Sequence, residues 1–288
     1  MILLNLIIRG LITGAIYSLT SMGIVLILST TLVMNFAQGD MGMLLAYFAF
    51  FMLMKNIPYP VAFALIILIG ILFGFLLEKY LMSRARKTSH LGMVMITLAL
   101  TMIFEGVAGY TFGTMPLLFP KAIGGEPFNI FGVIIDKHDL FTFIISILIV
   151  IILFVILYKT KIGIAARSLA EDEFGARILG IPINSIYLFI WMTAFSLAGI
   201  SGVLVAGRQT LEPHFMIVIQ LKGFMAAVLG GMNSIVGAVL GGFLLGMIEN
   251  LVSFYMPQIK DSFSLILIVL VLLFLPQGIF GKRETRRA

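Results

Sequence analysis

The sequence predicts an all-α fold, a polytopic bundle of membrane helices. Hydrophobic residues make up 61% of the 288 residues and charged residues only 11%, and the mean hydropathy is +1.15. Soluble domains are nearer half apolar and a quarter charged. A chain of this length cannot bury such an excess of apolar surface in a soluble core. The apolar residues also occur in runs of about twenty, the length of helix that crosses a bilayer core.

Eight strong hydrophobic segments follow one another along the chain. We place them near residues 6–30, 36–54, 60–82, 91–113, 140–158, 185–207, 215–256 and 262–280. The first segment has no basic leader and no small-residue cleavage site, so we expect a membrane helix there rather than a signal peptide. Because no soluble domain is visible between the segments, residues 1–288 are predicted to form one transmembrane domain.

The seventh segment differs from the others in its glycine content. Lys222-Gly223 and Gly230-Gly231 interrupt its first arm, so we expect a broken or re-entrant element near 215–245. Non-helical backbone at membrane depth is tolerated only where protein or a water-filled path covers it. If the chain turns at 232–234 and this region crosses twice, the number of spans rises to nine.

Basic residues cluster in three short segments. The net charge is +6, from 19 basic and 13 acidic residues. Twelve of the basic residues form three groups: Lys79, Arg84, Arg86 and Lys87; Lys159, Lys161, Arg167 and Arg177; and Lys282, Arg283, Arg286 and Arg287. This clustering is typical of cytoplasmic loops and argues against nucleic-acid binding. It predicts a cytoplasmic C-terminus, an N-terminus outside, and an irregular outer loop over 114–139.

The residue types exclude several kinds of chemistry. The chain has no cysteine and only three scattered histidines, so thiol chemistry is excluded and we expect no metal site. It contains no G-x-x-x-x-G-K-[ST] phosphate loop, the motif by which a chain would hydrolyse ATP itself. No arrangement of nucleophile, base and acid is apparent, so we predict that the chain is not an enzyme.

The loop over 159–184 is the longest charged stretch between two apolar segments. Acidic residues favour the first turn of a helix and basic residues its later turns, while Gly180 followed by Pro182 is a helix stop. Phe174, Ile178 and Leu179 would share one apolar face. We therefore predict a short cytoplasmic helix that docks a soluble motor protein. Its candidate contact residues are Glu171, Glu173, Phe174, Gly175, Arg177, Leu179 and Gly180.

Polar residues inside the apolar segments are candidates for lining a solute path, because ionisable groups at membrane depth tend to face a bundle interior or water. The candidates are Asn35, Gln38, Gly39, Asp40, Glu105, Gly230, Gly231, Asn233 and Glu249. For the run 35–40, an interfacial turn with a helix cap is an equal alternative. For Glu105 and Glu249, a structural partner is an equal alternative.

Five pairs of glycines have the G-x-x-x-G spacing. They are Gly10/Gly14, Gly70/Gly74, Gly109/Gly113, Gly237/Gly241 and Gly242/Gly246. Small residues on one helix face let two backbones approach closely in lipid. We expect most of these pairs to mark helix packing.

Five motifs stand out along the chain, at 14–23, 35–47, 170–181, 226–242 and 275–281. Together they resemble those of one family, the permease subunits of branched-chain amino-acid ATP-binding-cassette importers of the high-affinity leucine/isoleucine/valine type. The chain departs from the family pattern at three positions. Gln38 replaces a common histidine, Ala46 a frequent glycine and Leu275 a usual arginine.

The resemblance implies a permease that moves branched-chain amino acids into the cytoplasm across the cell membrane. It implies two ATP-binding-cassette ATPase subunits that use ATP and Mg, docked on 159–184, with no cofactor bound by this chain. It also implies a second permease subunit, the same or homologous, and an extracytoplasmic solute-binding protein.

Two other functions remain open on the sequence alone. One is a permease of the same superfamily for another small solute, such as a sugar, a nucleoside or urea. The other is a secondary transporter that works without ATP, since broken helices and intramembrane carboxylates occur there too. An obligatory ATPase partner distinguishes the second alternative.

Overall fold

The apolar runs of the sequence form helices in the computed structural model, which describes residues 2–87, 89–130, 133–275 and 277–281. The helices are α1 (Ile2–Thr31), α2 (Gln38–Met54), α3 (Tyr59–Leu77), α4 (Ser83–Ala85), α5 (His90–Phe112), α6 (Lys137–Lys159), α7 (Lys161–Glu171), α8 (Glu173–Ile178), α9 (Ile183–Ala206), α10 (Phe215–Gly230), α11 (Ile235–Tyr255) and α12 (Lys260–Phe274). A π-helical turn, Glu78–Met82, joins α3 to α4.

Within the described ranges, six helices are long and apolar enough to cross a membrane. They are Leu3–Thr31, Tyr59–Ala85, His90–Phe112, Lys137–Lys159, Ile183–Ala206 and Ile235–Tyr255. Three shorter apolar helices accompany them: Gln38–Met54, Phe215–Gly230 and Ser262–Phe274. The chain is therefore a multi-pass, all-α membrane protein, as its composition predicts.

Burial separates central helices from peripheral ones. In the most apolar part of α1, 83% of the residues are buried, and in α9 78%. The corresponding figure is 28% for α3, α5 and α6. In a membrane, the exposed apolar faces of the last three helices are suited to contact lipid or another membrane protein.

Glycine contacts hold α1 against α11. A side chain at Gly14 would lie 2.7 Å from the Cα of Phe243, and one at Gly10 would lie 2.8 Å from the Cα of Met247. The two backbones can approach this closely only because both positions lack a Cβ. Packing of this kind matters in lipid, where the hydrophobic effect between helices is absent.

One G-x-x-x-G pair does not pack as expected. At Gly113 no atom lies within 4 Å of the position a Cβ would take, and at Gly109 the nearest is a methyl carbon of Thr114 at 4.0 Å. The packing prediction is wrong for this pair, because the end of α5 packs on α2 through Phe112 and Tyr47, and its glycine face has no close neighbour among the described residues. By contrast, Gly70 and Gly74 contact the backbone of α9.

The glycine-rich segment forms two helices, α10 and α11. The interruption expected at Lys222-Gly223 is wrong, because α10 is continuous through these residues. Gly223 instead lets α10 approach α1, where a Cβ would lie 2.6 Å from a methyl group of Thr20. The chain reverses over 231–234, where Gly231 has φ +112°. Ser234 caps α11 by accepting a hydrogen bond of 3.0 Å from the Gly237 N–H.

The loop over 114–139 contains more order than the sequence indicated. Two short strands, β1 (Phe128–Ile130) and β2 (Val133–Ile135), pair antiparallel, with Phe128 opposite Ile135. Both strands consist mostly of β-branched and aromatic residues, which favour a pleated strand. Nearby, Lys121 hydrogen-bonds Asp136 and holds the pKa of that carboxyl below its usual range.

The last helix is shorter than expected. It ends at Phe274, whereas the apolar run predicted a span to residue 280. Leu275 precedes a proline, and the residue before proline is disfavoured in helical conformation. The basic cluster over 282–287 lies outside the described residues.

Candidate functional site

The charged loop after α6 forms two helices rather than one. The sequence predicted that Glu171 and Glu173 would share a first helical turn. Instead α7 ends at Glu171 and α8 begins at Glu173. Asp172 separates them because its extended backbone and its carboxylate cap the second helix, accepting a hydrogen bond of 2.9 Å from the Phe174 N–H.

α8 is a capped helix with an exposed apolar surface. Phe174, Ile178 and Leu179 are 73%, 71% and 78% exposed. At the other end, Gly180 has φ +75°, and the Ile181 N–H donates to the Ala176 carbonyl at 3.1 Å, as in a glycine-terminated helix. Three large apolar side chains on so short a polar helix form a surface suited to a protein partner.

Gly175 also has a structural reason to be glycine. A Cβ at this position would lie 2.7 Å from a carboxylate oxygen of Asp172, the group that caps α8. Glu173 and Arg177 form an ion pair of 2.9 Å one turn apart on the same helix. Both side chains are well exposed, so the pair contributes little to stability.

Tyr187 at the start of α9 connects α8 to the bundle. Its hydroxyl lies 3.3 Å from a carboxylate oxygen of Glu173 and 3.4 Å from the Thr30 carbonyl at the end of α1. The Arg86 guanidinium stacks on its ring at 3.5 Å, and Arg86 also pairs with Glu78. A movement of α8 would therefore reach α1 and α9 through Tyr187, and the π-helical turn after α3 through Arg86.

A cleft of about 820 Å³ separates α8 from the neighbouring helix ends. Its lining includes Thr31, Arg86, Lys87, Arg177 and Asn184. α8 thus buries only Ala176 and leaves its large apolar side chains exposed beside this cleft.

A second group of polar residues lies at the centre of the bundle. The Gln38 amide donates to the Thr20 carbonyl at 3.2 Å, which places the start of α2 beside the middle of α1. The Gly39 N–H donates to the Gln220 side chain, whose amide in turn donates to the Phe36 carbonyl. The polar run before α2 therefore folds back along α1 and contacts α10.

A buried ion pair joins α10 to α11. The Lys222 ammonium on α10 contacts the Glu249 carboxylate on α11, and the Tyr17 hydroxyl on α1 donates to the same carboxylate at 2.8 Å. The side chains of Lys222 and Glu249 are only 7% and 11% exposed. We refer to Tyr17, Lys222 and Glu249 as the charge triad.

Asp40 and Glu105 belong to a neighbouring group. Asp40, 4% exposed, lies beside Thr101 and within electrostatic reach of Glu105 and His214. Glu105 pairs with a ring nitrogen of His214 at 3.0 Å. These contacts connect α2 to α5 and to the start of α10.

The other path candidates lie apart from these groups. Gly230 and Gly231 contact the backbones of α11 and of the segment 277–281. Asn233 is exposed in the turn between α10 and α11. The backbone contacts give both glycines a packing function, and their place in a solute path stays a prediction.

Sequence reasoning missed Tyr17, Gln220 and Lys222. Lys222 did carry a signal, since it is the single charged residue in the apolar helix Phe215–Gly230. A lone ammonium at membrane depth requires a partner, and Glu249 was the nearest intramembrane carboxylate downstream. Tyr17 carried no such signal because its partner lies 232 residues away in the sequence.

Comparison with known families identifies one model along nearly the whole chain. Residues 6–275 match the family described as branched-chain amino acid transport system / permease component. No solved structure matches the chain.

Curated relatives match over similar lengths. The high-affinity branched-chain amino acid transport system permease protein BraD of Pseudomonas aeruginosa is 28% identical, covering 99% of this chain and 97% of the relative. The probable branched-chain amino acid transport permease protein LivH of Methanocaldococcus jannaschii is 31% identical, covering 91% and 88%. The high-affinity permease protein LivH of Escherichia coli strain K12 is 26% identical, covering 97% and 96%.

Proposed function

Because the chain belongs to the family of branched-chain amino acid transport permeases, we propose that it is the permease subunit of an ATP-driven importer. The importer moves branched-chain amino acids into the cytoplasm. The observation that carries the proposal is α8, a capped helix with three exposed apolar side chains, joined to the membrane helices through Tyr187. A transporter driven by its own ion gradient has no need of such a surface.

In this proposal the chain itself is not an enzyme. Two ATP-binding-cassette subunits bind and hydrolyse ATP with Mg, and they dock on the cytoplasmic segment 159–184. Phe174 and Leu179 enter a hydrophobic groove on the ATPase, while Glu173 and Arg177 provide the polar rim. Glu171, Gly175 and Gly180 shape the two ends of the docking helix.

Movement of the ATPases on nucleotide binding has a route into the membrane helices. α8 contacts Tyr187, and Tyr187 contacts the end of α1 and Arg86. A conformational change is driven only by an interaction that differs between two states. Here that interaction is the contact between α8 and the ATPase. ATP binding would shift α8 relative to the bundle.

The substrate path is proposed to run beside the polar start of α2. Asn35, Gln38, Gly39 and Asp40 supply polar groups at membrane depth, and Glu249 of the charge triad supplies a further one on α11. Glu105 extends this series toward the start of α10. Gly230, Gly231 and Asn233 border the other end of α10, where their backbones leave room for close packing.

We further propose nine crossings, with the N-terminus outside and the C-terminus in the cytoplasm. The basic groups around Arg86 and Arg167 favour the cytoplasmic side, and α1 ends on that side beside Tyr187. After α12, the Ile279 N–H donates to the Leu229 carbonyl at 2.9 Å. This contact places the segment after α12 beside the end of α10. Because α11 and α12 each cross once between these two points, both points lie on the same side of the membrane, and the total number of crossings is odd.

The importer would contain further partners in the cell membrane. A second permease subunit, the same or homologous, completes the path. An extracytoplasmic binding protein delivers the amino acid to the outer loops, including 114–139. The poorly buried faces of α3, α5 and α6 contact the lipid bilayer or that second subunit.

Co-purification from the native host tests the proposed function. A tagged chain is expressed from its own locus, solubilised gently and analysed for associated proteins. We expect an ATPase with phosphate-loop motifs in the wild-type preparation, and its loss when Phe174 and Leu179 are both changed to serine.

A matched control is Leu118→Ser, which removes an exposed apolar side chain (84% exposed) from the outer loop and should leave the ATPase bound. If the tagged chain is recovered without an ATPase and still moves solute without ATP, it is a secondary transporter. If the ATPase is recovered but the system takes up a sugar, a nucleoside or urea in preference to leucine, the proposed substrate is wrong.

A further inference from the structure

The cleft between α8 and the bundle has the size of a ligand site. Its volume of about 820 Å³ lies within the range of about 300–1,000 Å³ that is typical of small-molecule pockets. Its walls are the end of α1, α4 with the turn after it, α8 and the start of α9. The proposed function uses α8 as a docking surface but gives this space no role. We refer to it as the α8 cleft.

Positive charge predominates among the residues that line the α8 cleft. They include one carboxylate, Glu173, and three cationic side chains, Arg86, Lys87 and Arg177. Arg86 is neutralised by Glu78, which does not belong to the lining. The pair of Arg177 with Glu173 is exposed, so it is weak and can exchange with another partner. Lys87 is exposed and forms no ion pair with any other described residue. The cleft can therefore attract an anion through Lys87 and hold it with Arg177.

The first turn of α9 adds hydrogen-bond donors to one wall. Ile183, Asn184 and Ser185 line the cleft, and α9 begins after Pro182 without a side-chain cap. The first N–H groups of a helix have no acceptor within the helix and carry the positive end of its dipole. Arginine, lysine and a helix N-terminus are the groups with which proteins bind phosphate. The lining therefore favours a ligand that carries a phosphate group.

An apolar surface continues from the cleft along α5. His90, at the start of this helix, lines the cleft. Leu91, Met95, Leu98 and Met102 follow on one face of α5, and all four side chains are exposed. A soluble phosphate would leave this surface uncovered, whereas the acyl chains of a lipid would cover it. The cleft also lies at the end of the bundle assigned to the cytoplasm, where the membrane leaflet carries anionic lipid.

We propose that the α8 cleft binds the headgroup of an anionic phospholipid whose acyl chains lie along the exposed face of α5. Lys87 and Arg177 contact the phosphate from different walls. Because Lys87 belongs to the bundle and Arg177 to α8, the bound headgroup ties the docking helix to the membrane helices. The site belongs to this chain alone and does not depend on which solute the protein transports.

Native mass spectrometry of the full-length protein in a mild detergent measures this binding directly. The probes are phosphatidylglycerol, phosphatidylcholine, whose choline cancels the phosphate charge, and inorganic phosphate. We expect phosphatidylglycerol to bind about tenfold or more tightly than phosphatidylcholine. Equal binding of the two lipids would overturn the charge recognition. Inorganic phosphate that binds as tightly as phosphatidylglycerol would show a site for a soluble anion and overturn the lipid assignment.

Paired substitutions test the place of binding. Lys87→Gln with Arg177→Gln removes two exposed cations from the cleft, and the affinity for phosphatidylglycerol should fall about 30-fold. The matched control, Lys79→Gln with Arg84→Gln, removes two exposed cations nearby that do not line the cleft, and its affinity should equal that of the wild type. No loss in the first variant, or an equal loss in both, would overturn the assignment to the α8 cleft.

Hydrogen exchange of the wild-type protein tests the tie to α8 without any substitution. The protein is placed in lipid nanodiscs that contain either phosphatidylglycerol or phosphatidylcholine alone. Amides of Glu173–Ile178 should exchange more slowly with phosphatidylglycerol, because the headgroup holds α8 against the bundle. The hairpin of β1 and β2 serves as the internal control and should exchange alike in both membranes. Equal exchange of α8 in the two membranes would contradict the tie.

Discussion

At the scale of single residues, several buried polar side chains of this protein find their partners on another helix. Ser18 and Ser21 donate to carbonyls of α11, and Tyr17 donates to Glu249. Such bonds join α1 to a helix more than 200 residues away in the sequence. On the surface, Asp172 has a different function, since its carboxylate decides where α8 begins.

The capping function of Asp172 makes a direct prediction. Replacing Asp172 with alanine removes the acceptor for the Phe174 N–H, which costs a helix about 0.5–2 kcal/mol. Because α8 has only six residues, we expect a large loss of its helical population and about a fivefold decrease in ATP-driven uptake. Asp172→Asn keeps a capping side chain and should retain most activity. Equal uptake by the two variants would contradict this function of the cap.

At the scale of elements, most helices could be predicted from the sequence, because an apolar run of about twenty residues has few alternatives. The exceptions have local causes. Gly223 was expected to interrupt a helix. Instead, its lack of a side chain lets α10 approach Thr20 on α1. Asp172 was expected within a first turn, but it ends one helix and caps the next. Both outcomes depend on tertiary neighbours that a linear pattern does not contain.

The close contact between α1 and α11 predicts a contrast between two glycines. A valine at Gly14 would collide with the backbone of Phe243, since even its Cβ would lie 2.7 Å from the Cα. Overpacking of this kind costs about 1–3 kcal/mol or more. Gly14→Val should therefore lower the thermal stability of the purified protein, measured by size-exclusion chromatography after heating.

Gly106→Val is the matched control, because no atom lies within 4 Å of the Cβ position at Gly106. We expect its thermal stability to be close to that of the wild type. A decrease as large as that of Gly14→Val would contradict this contrast, because the Cβ position of Gly106 faces open space.

At the scale of the whole molecule, the distribution of charge and the order of the helices agree with each other. The basic groups near Arg86 and Arg167 lie at the end of the bundle that carries α8, and the hairpin of β1 and β2 lies after α5. The orientation in the membrane that the sequence predicts from its loops stays a prediction. The sequence could not predict that the start of α2 bonds to Gln220 of α10, because no periodicity links two separate helices.

The absence of cysteine from the sequence allows a clean test of orientation. A single cysteine at Gly124 or Lys161 is the only thiol in the chain. We expect Gly124→Cys to react with a membrane-impermeant maleimide in intact cells. Lys161→Cys should react only after permeabilisation. The opposite pattern would invert the proposed topology.

The most direct test of the central claim is ATP-driven uptake of leucine by the purified permease, its co-purified ATPase and its binding protein in proteoliposomes. We expect labelled leucine to accumulate when ATP and Mg are supplied on the ATPase side, to be displaced by isoleucine and valine, and not to accumulate with ADP. Accumulation that is independent of ATP, or that branched-chain amino acids do not inhibit, would contradict the account.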